Sequence, residues 1–324
     1  MTTGAPDPVS PTGLSARLAS IWHDNVARPV RAIRQAYWPL LMVYFAYGAL
    51  GIIDVARDMW VKESLSLSPA ELAGIGVWLS LPWTIKMVFG QLVDAVPLFG
   101  SQRRVYVLIG AVLVALGMVT LAGSAGGWLA ALRPDQAFVL GALLIVLGAV
   151  IQDVVADAMS SEVVERVDAA GNPRPDAEIR ADLGMVQLLG RLALGIGILS
   201  VAGLSGWLAK HLTREQVFLC GLVIPLVSMT GVMLARTEKA ERRPLDWRIL
   251  GGGIAFGGFV VTVALGGVPY AQEIVFVGSM AVVLTMLHLV TRDIDPKTRS
   301  SIIFASIIIF AFRATPGVGD GYFW

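Results

Sequence analysis

The stretch VYVLIGAVLVALGMVTLAGSA, from Val105 to Ala125, has no charged side chain. It matches the ~20 residues that a helix needs to cross a bilayer. Apolar stretches of similar length run over residues 37–58, 72–93, 105–125, 137–159, 183–208, 217–235, 249–268, 274–290 and 301–322. The sequence therefore predicts an all-α, polytopic transmembrane helix bundle of about nine spans. Composition points the same way, because 56% of the 324 residues are hydrophobic and 15% charged, against roughly 45–50% and ~25% in soluble domains. So much apolar surface cannot be hidden in one soluble core.

The net charge of +1 creates no global field that would draw nucleic acid or an acidic substrate. The placement of charge is more informative. Residues 1–36 are rich in Pro, Ser, Thr, Ala and Arg and lack the apolar core of a cleavable signal, so they read as a cytoplasmic arm. With that arm inside, Arg17, Arg28, Arg31 and Arg34, then Arg103 and Arg104, then Arg166, Arg174 and Arg180, and later Arg236 to Arg248 and Arg292 to Arg299, all fall on the cytoplasmic side. The opposite loops hold only Lys62, Arg133, Lys210 and Arg214. This asymmetry selects an N-terminus-in orientation in the cell (inner) membrane.

Several chemistries have no foothold in the sequence. Cys220 is the single cysteine and lies in an apolar run, where a small core residue is expected. There is no Ser/His/Asp or Cys/His set for nucleophilic catalysis and no metal-ligand spacing, and no cofactor is implied. Gly251 to Gly253 begin an apolar span with no strand before them, which is not a phosphate loop. The protein is expected not to be an enzyme.

Ionisable residues inside spans cost at least ~2.5–3.5 kcal/mol each at the bilayer centre, so they usually face a polar pathway or a partner. Here they are Asp54, Arg57 and Asp58, then Lys86, Asp153, Asp157 and Arg191, and finally Arg313 and Asp320. Asp54 and Asp58 are one helical turn apart, as are Asp153 and Asp157, so each pair shares a face. Counting rise from the helix ends puts Lys86, Asp157 and Arg191 at one depth, with Asp153 deeper. The expectation is that Arg191 or Lys86 forms an ion pair with Asp153 or Asp157.

The chain also repeats itself. VYFAYGALGIIDVARDMW near the first span aligns with IIFAFRATPGVGDGYFW at the ninth, pairing Phe45 with Phe310, Tyr47 with Phe312 and, within one position, Asp54 with Asp320. Transporter halves commonly arise from such repeats. The expected organisation is a cytoplasmic arm (1–36), a first six-helix half (37–236), a linker with two extra transmembrane helices (237–299), and the first helix of an incomplete second half (300–324).

Three motifs extend this reading. Gly90, Leu92 and Asp94 (GQLVD), followed by Arg103 and Arg104, resemble the G-x-L-x-D and paired-basic loop motif of the major facilitator superfamily. There Gly90 permits close helix approach, and Asp94 and the arginines latch a cytoplasmic gate. The wider string PWTIKMVFGQLVDAVPLFGSQRRVY (Pro82 to Tyr106) resembles the folate-biopterin transporter family, a branch of that superfamily. IQDVVADAMSSEVVE (Ile151 to Glu165) is similar to its fourth-helix D-V-x-x-D-A element, and FRATPGVGDGYFW (Phe312 to Trp324) to its A-T-P element. Met87 stands where that family usually has proline. The resemblance implies a secondary active transporter, a symporter that moves a folate, pterin or related organic anion by alternating access. The lipid bilayer, that solute and a coupling proton at Asp153 or Asp157 are the expected partners. A pterin ring would stack on Tyr47, Trp83 or Phe312. The fourth-helix string is also similar to that of muropeptide permeases, and a non-transporting membrane scaffold or assembly factor on the same fold stands as the alternative from another class.

Overall fold

The computed structural model describes Trp22 and residues 31–65, 75, 79, 82–83, 85–101, 103–168, 170–234, 245, 247–265, 270–292 and 294–313. The expected arm up to residue 30 apart from Trp22, most of the start of the second span, the segment 235–244 and the end of the ninth span with Asp320 lie outside these residues. The helices are α1 (Trp38–Ala49), α2 (Asp54–Ser64), α3 (Lys86–Ala95), α4 (Arg104–Ala125), α5 (Pro134–Glu162), α6 (Asp176–His211), α7 (Arg214–Gly221), α8 (Val223–Met233), α9 (Trp247–Leu265), α10 (Ala271–Val290) and α11 (Pro296–Arg313). Apart from two isolated β-bridges, regular structure among the described residues is helical. The chain forms two compact units, one drawn from Met1–Ser64 and Val96–Arg243, the other from Leu65–Ala95 and Pro244–Trp324.

Within the first unit, Gln35–Ser64, Arg104–Ala125, Pro134–Glu162, Asp176–His211 and Arg214–Met233 are each long and apolar enough to cross a membrane. Their outer faces are apolar too: Leu199 is 77% exposed, and Leu116 and Leu226 also project outward. A helix that is apolar on both its packed and its free face suits a lipid surround.

Two helix pairs hold this unit through glycine. A Cβ on Gly48 would strike the Leu194 carbonyl, and one on Gly197 the Phe45 carbonyl, so α1 and α6 approach backbone to backbone. Gly110 and Gly148 do the same for α4 and α5. Beside these crossings Trp60 packs on Phe138 and Phe218, with ring centroids 6.2 and 6.1 Å away. At that end of the bundle Arg214 pairs with Glu63 at 2.8 Å, and the Trp128 indole N–H donates to Glu215 at 2.8 Å.

Two spans expected to be continuous are interrupted. The first contains a 3₁₀ turn, Leu50–Ile53, between α1 and α2. The sixth breaks at Leu222, because Pro225 has no N–H to give the carbonyl one turn earlier and is accommodated only in the first turn of a new helix, α8. Cys220, expected in the core, is exposed on α7. Val217, Phe218 and Gly221 are the buried residues of that helix.

The connections are ordered by their own polar groups. Leu98 and Ser101 exchange backbone hydrogen bonds of 3.0 and 2.9 Å across Phe99 and Gly100, both at positive φ as a type I′ turn requires. Between α5 and α6, the Asp168 carboxylate accepts from the amides of Ala170 and Asn172 at 2.9 and 2.8 Å. The hydrogen bonds from Asn172, backbone first and then side chain, hold the Asp168 carboxyl below its ordinary pKa. Arg174 then ties the loop down, donating to the Glu165 carbonyl at 2.9 Å and to Asp182 on α6 at 3.0 Å. Arg34 reaches the same Asp182 at 3.7 Å.

In the second unit, α9 lies against α3 where Gly253 faces Val88, and Gly278 of α10 makes room for Phe259 of α9. Asp295 caps α11, accepting from the Lys297 amide at 3.1 Å. Arg299 donates to the His288 carbonyl at 3.2 Å and so links α11 to the end of α10.

Candidate functional site

The 3₁₀ turn in the first span has a direct electrostatic consequence. Asp54 opens α2 immediately after it, and Arg57 lies one turn on. The Arg57 guanidinium contacts Asp54 at 2.8 Å and Asp58 at 3.0 Å, so one cation is shared by two carboxylates. All three side chains remain accessible, at 51%, 34% and 47% for Asp54, Arg57 and Asp58. With both carboxylates ionised the trio carries one net negative charge, and its free acceptor oxygens suit a ligand that brings N–H donors.

A second polar cluster lies where α1, α5 and α6 meet. Tyr44, buried on α1, donates its hydroxyl to Asp157 at 2.8 Å. Gly190 of α6 leaves room for that ring, since a Cβ there would sit 2.7 Å from Tyr44 Cε2. Gln187, one turn earlier on α6, donates to the Ser160 hydroxyl at 2.6 Å, which itself donates to the Asp157 carbonyl at 2.7 Å. Asp153 is 9% exposed. Beside it, buried Gln152 donates to Ser228 on α8 at 3.0 Å and to the Val107 carbonyl on α4 at 3.3 Å.

At the helix ends near the Phe99 turn, buried Arg103 forms a two-pronged ion pair with Glu162 at the end of α5. Such paired, parallel hydrogen bonds fix orientation as well as charge.

Of the two bases expected to pair with Asp153 or Asp157, Lys86 belongs to the second unit and Arg191 to the first. Arg191 is exposed, while the buried stripe of α6 runs through Val186, Leu189, Gly190 and Gly197. α6 meets α5 at this level through Gln187. Tyr47 is half-buried on α1. Trp83, Lys86, Gly90 and Asp94 belong to the second unit, the last three on α3. Arg104 begins α4, with its amide on the Ser101 hydroxyl at 3.2 Å. Arg313 and Phe312 end α11.

Sequence reasoning passed over Tyr44, Glu162, Gln152 and Ser160. Glu162 had a signal, as an acid at a span end level with the paired arginines. The others are uncharged, and nothing in a helical pattern separates them from ordinary core residues.

Residues 48–311 match the model of the BT1 family. The chain is 30% identical to a folate-biopterin transporter of Synechocystis, over 88% of this chain and 47% of that protein. It is 26% identical to probable folate-biopterin transporter 4 of Arabidopsis thaliana, over 64% of this chain and 39% of the relative. Folate transporter 1 of Plasmodium falciparum is also 26% identical, over 53% and 30%. The chain thus spans less than half the length of each of these relatives. With several apolar helices of membrane-spanning length and a family match across most of its residues, this multi-pass membrane protein belongs to the BT1 family, whose curated relatives are named folate-biopterin transporters.

Proposed function

We propose that the protein moves folate, a pterin or a related organic anion across the membrane by alternating access, as a secondary active transporter. The observation that carries this reading is the accessible Asp54, Arg57 and Asp58 trio inside an apolar span of a BT1-family chain. A pterin edge offers N–H donors to such carboxylates, and the glutamate tail of a folate takes Lys or Arg. Asp54, Arg57, Asp58, Lys86, Asp153, Asp157, Arg191, Arg313 and Asp320 supply the polar pathway, and Tyr47, Trp83 and Phe312 the stacking surface. Gly90, Asp94, Arg103 and Arg104 form the cytoplasmic gate. A coupling proton rides on Asp153 or Asp157. Residues 37–236 serve as one half and residues 300–324 begin the other, a division supported by the repeat around Phe45 and Phe310. The excess of Lys and Arg in alternate connections supports an N-terminus-in orientation in the cell membrane.

Uptake of labelled folate and pterin into vesicles holding the intact protein, with and without a proton gradient, tests this. Saturable uptake, faster with the gradient, is expected; uptake no greater than in protein-free vesicles would reject it. Labelling of a cysteine placed at residue 240 from the cytoplasmic side only is expected for the orientation.

A further inference from the structure

The break in the first span is met from outside by a hydroxyl of α6. In a continuous helix the Val55 amide would bond to the Gly51 carbonyl, one turn back. Here the Asp54 amide takes that carbonyl instead, in the tighter 3₁₀ pattern. The Val55 amide is met by the Ser205 hydroxyl of α6 at 3.3 Å, and Ser205 is 3% exposed. Gly51 completes the arrangement, for a Cβ on it would lie 3.2 Å from the Asp54 carboxylate, which folds back over the turn. Directly after the turn come Asp54, Arg57 and Asp58.

We propose that Ser205 is a positioning residue: by accepting the Val55 amide it keeps the 3₁₀ turn in place and thereby sets how the Asp54, Arg57 and Asp58 trio is presented to the solute. Without the hydroxyl, the Val55 amide loses the acceptor that Ser205 supplies, the turn is no longer pinned to α6, and Asp54 leaves its place above Gly51. This assignment rests on the reading of the trio as part of the solute pathway.

The test compares Ser205→Ala, Ser205→Thr and Asp54→Asn in the intact protein, by hydrogen exchange at Val55 and by labelled folate uptake. Ser205→Ala should speed exchange at Val55 by about two- to tenfold, the effect of one lost hydrogen bond. It should raise the KM for folate several-fold with kcat little changed, whereas a merely structural loss would lower the amount of folded transporter and leave KM alone. Ser205→Thr, which keeps the hydroxyl, should restore both. Unchanged exchange at Val55, an unchanged KM in Ser205→Ala, or failure of Ser205→Thr to restore either quantity would overturn the role of Ser205. Undiminished folate uptake by Asp54→Asn, or none by the wild type, would instead overturn the reading of the trio and with it this assignment.

Discussion

At the scale of single residues, the contacts with most at stake are polar groups in or beside apolar spans. Arg103 and Glu162 illustrate this, since removing one charge of a buried pair strands the other. Glu162→Gln should destabilise the protein by about 3 kcal/mol, the low end for a broken buried pair because Glu162 is partly exposed. Thermal unfolding in detergent checks it, and exchanging the two residues should recover part of the loss. A value within experimental error of wild type would mean that the pair does not contribute. Gly190 makes a subtler case, because its contribution is the space it leaves for Tyr44. Gly190→Ala should displace the ring and break its hydrogen bond to Asp157, costing on the order of 1–3 kcal/mol. Tyr44→Phe added to Gly190→Ala should then cost little more than Gly190→Ala alone, a non-additivity that a double-mutant cycle reads directly.

At the scale of elements, interruptions and connections carry the information that span lengths hide. The first and sixth spans were each visible in the sequence as one apolar stretch, and each is two helices. Pro225 gave notice of the second break through its missing amide. No residue type announced the first, because Gly51 also occurs in unbroken helices and the partner of the Val55 amide, Ser205, lies on another helix. The α5 to α6 connection behaves as a small folded unit, with Asp168 accepting its own loop's amides. Since its pKa is lowered in the folded state, the turn's contribution is fully present above the unfolded value of ~3.9 and is lost as pH falls through the folded value. A carboxyl-carbon NMR titration of Asp168 should therefore show a midpoint below ~3.9. Asp168→Ala should open residues 166–174 to proteolysis at neutral pH, whereas equal cleavage in wild type and variant would deny the turn its ordering role.

At the scale of the whole molecule, the first unit depends on helices that cross at glycine, while at Gly195, Gly203 and Gly206 of α6 an added Cβ would meet nothing within 4 Å among the described residues. The two kinds should respond oppositely. Gly148→Leu drives a side chain into the α4 backbone at Gly110 and should abolish a monodisperse, cooperatively melting protein. Gly203→Ala, with nothing within 4 Å of the new Cβ, should be neutral or stabilising by up to ~1 kcal/mol through helix propensity. Size-exclusion profiles and melting curves of the two variants separate these outcomes, and equal behaviour would show that the crossings are not sterically limiting.

The all-helical membrane class, the family and the positions of five spans were determined by the sequence alone, because a bilayer imposes length and apolarity on every crossing segment and these are local properties. The carboxylate pairs were legible for the same reason, as Asp54 and Asp58, or Asp153 and Asp157, share a face by helical repeat. Which group each carboxylate meets was decided only by tertiary structure. Helical periodicity orients a side chain about its own axis and says nothing of the neighbouring helix, so the hydrogen bond from Tyr44 to Asp157, across 113 positions, could not be read from it. The 3₁₀ turn in the first span likewise meets a hydroxyl on α6, a long-range partner that no local pattern contains.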